Sequence, residues 1–195
     1  MKRRVVVTGI GALTPIGNNV NDTWKGILNH QCGIDLIQSF DTSNMKVKVA
    51  GELKNFEATE YLDKKDVRKM DKFIQYGLIA AKEAIKDSKL EIDSINHDRF
   101  GVVVSSGIGG LGSIEENHQR GLKKGFDRVS PYFIPMTIVN LAAGQIAIAF
   151  KAQGLATCPV TACAGGTNAI GDAFRNIRDG YLDVTIAGDH PGVKP

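Results

Sequence analysis

Apolar, β-branched runs that break into glycine are the feature that most constrains this chain. Val5 to Thr8 leads into Gly9 and Gly11, and Phe100 to Ser105 leads into Gly107, Gly109 and Gly110. A third run, Thr157 to Ala162, ends at Cys163, Gly165 and Gly166. Such runs suit strands buried on both faces, and glycine lets the chain turn sharply where they stop. Helix-compatible stretches lie between them. Alternating strand and helix implies an α/β layered fold with a central sheet.

The clearest helical period spans Asp66 to Asp87, where Met70, Ile74, Leu78, Ala81 and Ile85 share a face. A short amphipathic helix is expected around Asp22 to Asn29, with Trp24 as its packing anchor. Residues 31 to 60 read as an irregular insertion held by Ile34, Ile37 and Phe40. A polar helix is expected near Ile114 to Lys124. An apolar one over Met136 to Lys151 is rich in Ala and Gly, so it should pack closely. Asp183 to Ala187 reads as the last strand.

Composition excludes several classes. The chain has 195 residues, 43% of them hydrophobic, which suits one globular domain or a large part of a bigger one. Its net charge of +3 comes with Lys and Arg interleaved among acids, so nucleic acid is not an expected partner. The apolar run after Met1-Lys2-Arg3-Arg4 is too short for a signal peptide, and none reaches membrane-spanning length. The three cysteines form no CxxC pair and no Cys/His cluster, so no metal site is expected; no cofactor is expected either. Cys158 and Cys163, placed along one strand, would point to opposite faces roughly 16 Å apart. Unbridged thiols suit a cytoplasmic protein.

Thr8-Gly9-Ile10-Gly11 begins like a dinucleotide-binding fingerprint. Thr14 replaces the third glycine and Pro15 interrupts any helix there, so a tight structural turn is the better reading. Gly107, Gly109 and Gly110 lack the Lys-Ser/Thr of a phosphate loop and read as a close backbone approach. Lys64, Lys65, Arg68 and Lys69 open the long helical period, where cations oppose the helix dipole, which suggests an acidic partner. Four histidines (His30, His97, His118 and His190) show no metal spacing; His97 and His118 read as surface residues.

Cys163 carries the chemistry. A thiol between a strand end and a helix N-terminus meets unpaired N–H groups and the positive end of the helix dipole, which favour a thiolate. The following glycines leave room for a substrate, and nearby N–H groups can hold an oxyanion. A buried structural thiol is the competing reading.

Five collinear segments resemble the N-terminal half of the β-ketoacyl-acyl carrier protein synthases, elongating condensing enzymes of the thiolase superfamily. They are Arg3 to Gly9 with Thr14-Pro15-Ile16-Gly17, Arg68 to Phe73, Ser105 to Gly110, Ile138-Val139-Asn140, and Thr161 to Gly166. The resemblance implies a thiolase-like layered fold, α-β-α-β-α in the full family, over residues 1–188, with a divergent tail at 189–195. It implies that Cys163 accepts an acyl chain from acyl carrier protein, and that condensation with malonyl-acyl carrier protein follows. Ile108, Phe133 and Ile134 would line the acyl pocket, the latter two also meeting a homodimer interface. Lys65, Arg68 and Lys69 would dock the acidic carrier protein.

Family members run to roughly twice this length, as two halves each near domain size. Their second half carries two catalytic histidines, a lysine and a glycine-rich loop. The family continues Ala187-Gly188 with glycine, a small residue and glutamate, where this chain has Asp189-His190-Pro191. The chain therefore reads as a truncated form that accepts an acyl group but does not complete condensation alone. The alternative is a non-catalytic partner subunit or fragment that binds without reacting.

Overall fold

The computed structural model describes residues 3–190. In chain order they form α1 (Val20–Leu28), β1 (Asp35–Leu36), β2 (Val49–Ala50), α2 (Lys64–Val67), α3 (Lys72–Ser88), β3 (Phe100–Ser106) and α4 (Leu111–Lys124). Then come α5 (Phe133–Thr137), α6 (Leu141–Ala149), β4 (Ala156–Thr157), α7 (Gly165–Arg178) and β5 (Val184–His190). The chain divides into two compact units. One holds the residues up to Val7, Ala58–Leu78 and everything from Leu90 on; the other holds Thr8–Glu57 and Ile79–Lys89.

The first unit is built on a parallel sheet in the order β4-β3-β5. β3 pairs with β5 from Phe100↔Val184 to Ser106↔His190, and with β4 at Val102↔Ala156 and Val103↔Thr157. All of β3 is buried, which is why its run shows no polar alternation. Helices α6 and α7 pack on it. Ala142, Ala143 and Ala147 are buried in α6, the close approach its small residues lead one to expect. Each fully buried valine of β3 contributes roughly 1.5–3 kcal/mol. At the other end of the strands, Asp183 accepts from Arg3 Nη1 (2.6 Å) and from Arg99 Nε (2.7 Å) and Nη2 (3.0 Å). These guanidinium bonds hold its carboxyl down at about 2.

Three expectations need correction in this unit. The segment 5–7 is no strand: Val6 is 54% and Val7 80% exposed. β-branched residues suit a strand, but a strand needs a backbone partner, and both edges of β3 are already taken by β4 and β5. The strand before Cys163 is only Ala156–Thr157, so Cys158 and Cys163 do not share one; both are free thiols. The long helical period is two helices. Asp63 accepts the Lys65 N–H (2.7 Å) to open α2, and Asp71 accepts the Phe73 N–H (3.2 Å) to open α3.

In the second unit, residues 9–12 lie extended against the later part of α3. Ile10 N–H donates to Asp87 (3.0 Å) and Ala12 N–H to Glu83 (2.9 Å). A methyl on Gly9 would overlap the Ala84 carbonyl, and one on Gly11 the Ala80 carbonyl. The two glycines thus allow an extended chain to touch a helix backbone; the tight turn follows at Thr14–Gly17, whose N–H and C=O groups pair reciprocally. Trp24 is 59% exposed and does not anchor α1, which seats instead through buried Gly26 against Ile16. The segment 31–60, expected to be irregular, holds an antiparallel pair, β1 with β2. Ile37 is buried there and Ile34 exposed.

Candidate active site

The carboxyl end of β3 organises the candidate site, the edge at which parallel-sheet proteins commonly place ligands. Its last two residues, Ser105 and Ser106, are fully buried and each supports a glycine-rich segment. Ser105 lies under the start of α7: a methyl on Gly165 would overlap Ser105 Oγ and come within 2.9 Å of its Cβ. The Ser105 hydroxyl has no hydrogen-bond partner among the described residues. Ser106 Oγ accepts the Gly109 N–H (3.1 Å) and shapes the loop after the strand.

Cys163 sits in the 3₁₀ turn Ala162–Ala164, which runs directly into α7. It is exposed, so it is not a buried structural thiol. Ala162, just before it, has φ +47°, a left-handed conformation that strains a residue with a Cβ by about 1–3 kcal/mol. No side chain caps α7 and no acid lies in its first turn, so its N-terminal dipole is unopposed by its own residues. Cys158 is half-buried; burial pushes its thiol up and the Asp189 charge adds to this, against a Ser106 backbone hydrogen bond.

The loop bearing Ile108 and the helix bearing Phe133 and Ile134 are neighbours. Gly109 has φ +76°, and a methyl there would overlap the Thr137 carbonyl. Gly110 N–H donates to that same carbonyl (3.1 Å), and a methyl on Gly110 would overlap the Met136 carbonyl. Close backbone approach is thus the role of these two glycines, while Gly107 has open space around it. Ile108 is 44% exposed, Phe133 half-buried and Ile134 56% exposed.

Lys65, Arg68 and Lys69 are exposed on α2 and the turn after it. Because the helix breaks at Arg68, these cations do not oppose the dipole of the long helix, and the dipole argument for an acidic partner falls. Lys65 is the second residue of the single turn of α2, and its N–H donates to Asp63. Lys69 Nζ lies 5.8 Å over the Tyr132 ring. Two residues on, Asp71 accepts from Ser113 Oγ (2.6 Å) and N–H (3.1 Å), tying this turn to the start of α4.

The histidines are spread out. His97 is half-buried, its Nδ1 2.8 Å from the Lys151 carbonyl oxygen. His118 is exposed, 6.5 Å from the Phe126 ring, and His30 lies in the other unit. His190, at the end of β5, is 5.2 Å from the Tyr76 ring. Burial lowers its pKa, opposed by the charges of Asp189 and Asp71. Among the described residues no group of three or more His, Cys, Asp or Glu gathers as a metal site. No described helix is long and apolar enough to cross a membrane.

A family model for the beta-ketoacyl synthase N-terminal domain matches residues 2–190. The chain belongs to the β-ketoacyl synthase family. It is 47% identical over 187 residues to 3-oxoacyl-acyl-carrier-protein synthase 2 of Synechocystis sp. (strain ATCC 27184 / PCC 6803 / Kazusa), covering 96% of this chain and 45% of that relative. The namesake from Staphylococcus aureus (strain COL) is 48% identical over 186 residues, again with 45% of its length covered. The chain thus spans about half the length of the curated relatives it matches.

Solved ketosynthase structures share the fold. The ishigamide ketosynthase/chain length factor superimposes with a TM-score of 0.88 at 26% identity, over 99% of this chain and 48% of that one. AntDE:AntF, a type II PKS acyl-carrier protein in complex with its ketosynthase, gives 0.84 at 26% identity, over 100% and 52%. The thiolase-like layered fold read from the β-ketoacyl synthase segments is therefore the observed one, represented by its N-terminal part.

Three residues that shape this candidate site were given no role of their own in the sequence reading, although Asp71 and Ser105 stand in segments that carry the family resemblance. Asp71 had a signal, an acid just ahead of an apolar helical period. Ser105, inside a buried strand, had none. Asp189 was read only as the first residue of the segment 189–195 that departs from the family's sequence pattern; β5 includes it and ends at His190.

Proposed function

We propose that this chain carries the acyl-accepting part of a 3-oxoacyl-acyl carrier protein synthase of fatty acid elongation. Cys163 is the nucleophile. Its sulfur attacks the thioester carbonyl of an acyl-loaded carrier protein. A new S–C bond forms, the carrier's sulfur leaves, and it takes up the proton that Cys163 gives away. In the condensation that a whole synthase carries out next, malonyl-acyl carrier protein loses carbon dioxide. The resulting carbanion attacks the acyl-Cys163 thioester, forms a C–C bond and releases Cys163 as a thiolate, which takes up a proton from water to restore the thiol. Thioester activation and decarboxylation drive this chemistry without a metal or cofactor.

One observation carries the reading: an exposed thiol opens α7 at the carboxyl end of the central strand, in a chain of this family. Ile108, Phe133 and Ile134 supply apolar wall for the acyl chain, with Phe133 and Ile134 also meeting a second copy in a homodimer. Lys65, Arg68 and Lys69 receive the acidic carrier. The setting is the cytoplasm.

The test is the intact mass of the chain after incubation with an acyl-loaded carrier protein. A gain of one acyl group is expected; a folded chain that gains none contradicts the reading. Reversing Lys65, Arg68 and Lys69 to Glu should slow transfer from the carrier by about tenfold or more and leave transfer from a small acyl thioester unchanged. Equal slowing of both donors removes the docking role.

A further inference from the structure

Asp189 sets a carboxylate against the start of the helix that follows Cys163. It is the register partner of Ser105 in the parallel β3–β5 pair, so the two side chains leave the sheet on one face. Both meet the first residues of α7. A methyl on Gly165 would lie 3.3 Å from Asp189 Oδ1, and one on Gly166 3.1 Å from Asp189 Cβ and 3.7 Å from Oδ2. The missing side chains of two glycines are what let the carboxylate approach this end.

That carboxylate is not neutralised. No ion pair among the described residues involves Asp189. The charged and titratable groups around it do not cancel it. On β5, His190 lies against the Tyr76 ring and feels Asp71 as well. After β4, the half-buried Cys158 thiol feels the Asp189 charge. On α7 the first charged residue is Asp172, already paired with Arg175 at 2.7 Å.

We infer that Asp189 is an electrostatic brake on Cys163: its carboxylate lies beside the first two residues of α7, close to the positive end of that helix, and disfavours negative charge on the sulfur two residues before it. The inference rests on the reading of Cys163 as the nucleophile. A helix N-terminus favours one anion, and a side-chain carboxylate held there repels a second. The charge that matters is the one on the attacking sulfur and on the oxyanion formed when it adds to a thioester. Asp189 is exposed, so water and salt weaken the effect to a factor of about three to ten in rate.

Alkylation by iodoacetamide, read cysteine by cysteine by mass spectrometry on the whole 195-residue chain, tests this. Cys32, exposed and in the other unit, is the internal reference. Asp189→Asn, which keeps the shape and removes the charge, should raise the Cys163/Cys32 rate ratio about three- to tenfold at neutral pH and low salt. Asp189→Glu should leave the ratio near wild type. In the wild type, raising salt from about 0.01 M to about 1 M should lift the ratio, as the screening length falls from about 30 Å to about 3 Å. The Asn variant should show no such rise. An unchanged ratio in the Asn variant, or a salt-independent ratio in the wild type, overturns the brake. The wild-type salt series decides the matter even where the Asn variant does not fold. No acyl donor is involved, so a chain that fails to accept an acyl group would sink the nucleophile reading and leave this result standing on its own.

Discussion

β3 and the stretch from Val5 to Gly11 are both β-branched runs that lead into glycine, yet only β3 is sheet. β3 has a parallel partner on each edge and is buried throughout. Val6 and Val7 pair with no described strand and stand exposed. The glycines differ in the same way. Gly109, Gly110 and Gly165 seat the two loops at the end of β3, and Gly9 and Gly11 let an extended chain touch helix α3. Apolar character therefore marks what a segment can bury, whereas backbone partners decide what it becomes.

The largest test of this contrast puts a charge into each run. Val103→Asp buries a carboxylate in β3 and should cost about 4 kcal/mol or more in urea unfolding. Val7→Asp should cost less than about 0.5 kcal/mol. Similar losses at the two sites would break the comparison. Next come the glycines. Gly165→Ala drives a methyl into Ser105 and should cost about 1–3 kcal/mol, with Gly9→Ala costing a similar amount against α3. Gly107→Ala, in open space, should change thermal stability by less than about 0.5 kcal/mol. Asp71→Ala removes the acceptor of the Phe73 N–H and of Ser113, and should cost about 1–2 kcal/mol by chemical denaturation.

A modest, pH-dependent effect belongs to Asp183. Its carboxyl is held down at about 2, first by the Arg99 hydrogen bond and then by that of Arg3. A carboxyl with a depressed folded-state value stabilises the fold above its ordinary range near 4. That contribution is lost as the pH falls from about 4 through about 2. The three side chains are each about a third to a half exposed, so it amounts to about 1 kcal/mol or less. Asp183→Asn should flatten the pH dependence of urea unfolding over that window. An unchanged slope would remove the Arg99–Asp183–Arg3 link from the account.

Much of this was legible in advance because the residues concerned act locally. Phe100 to Ser105 announced a buried strand by an unbroken apolar run, and Ala142, Ala143 and Ala147 announced close helix packing by their size. Cys163 between an apolar run and two glycines pointed to a turn ahead of a helix. What stayed hidden depended on partners distant in the chain. Nothing near Val5 says that both edges of β3 are occupied, and nothing near Trp24 says that α1 seats through Gly26. The break at Arg68 was masked because Val67, Met70 and Ile74 keep helical spacing across it in the sequence. Ser105 and Asp189 gained their place beneath α7 only through the β3–β5 register.

The central claim is that the end of β3 presents Cys163 as an acyl acceptor. Peptide mapping of the chain after exposure to an acyl-loaded carrier protein tests it most directly, because three thiols compete in one molecule. The account predicts a thioester on the peptide containing Cys163, none above background on those containing Cys32 or Cys158, and none at all in Cys163→Ala. An acyl group on Cys32 or Cys158, or acylation that survives in Cys163→Ala, would contradict it.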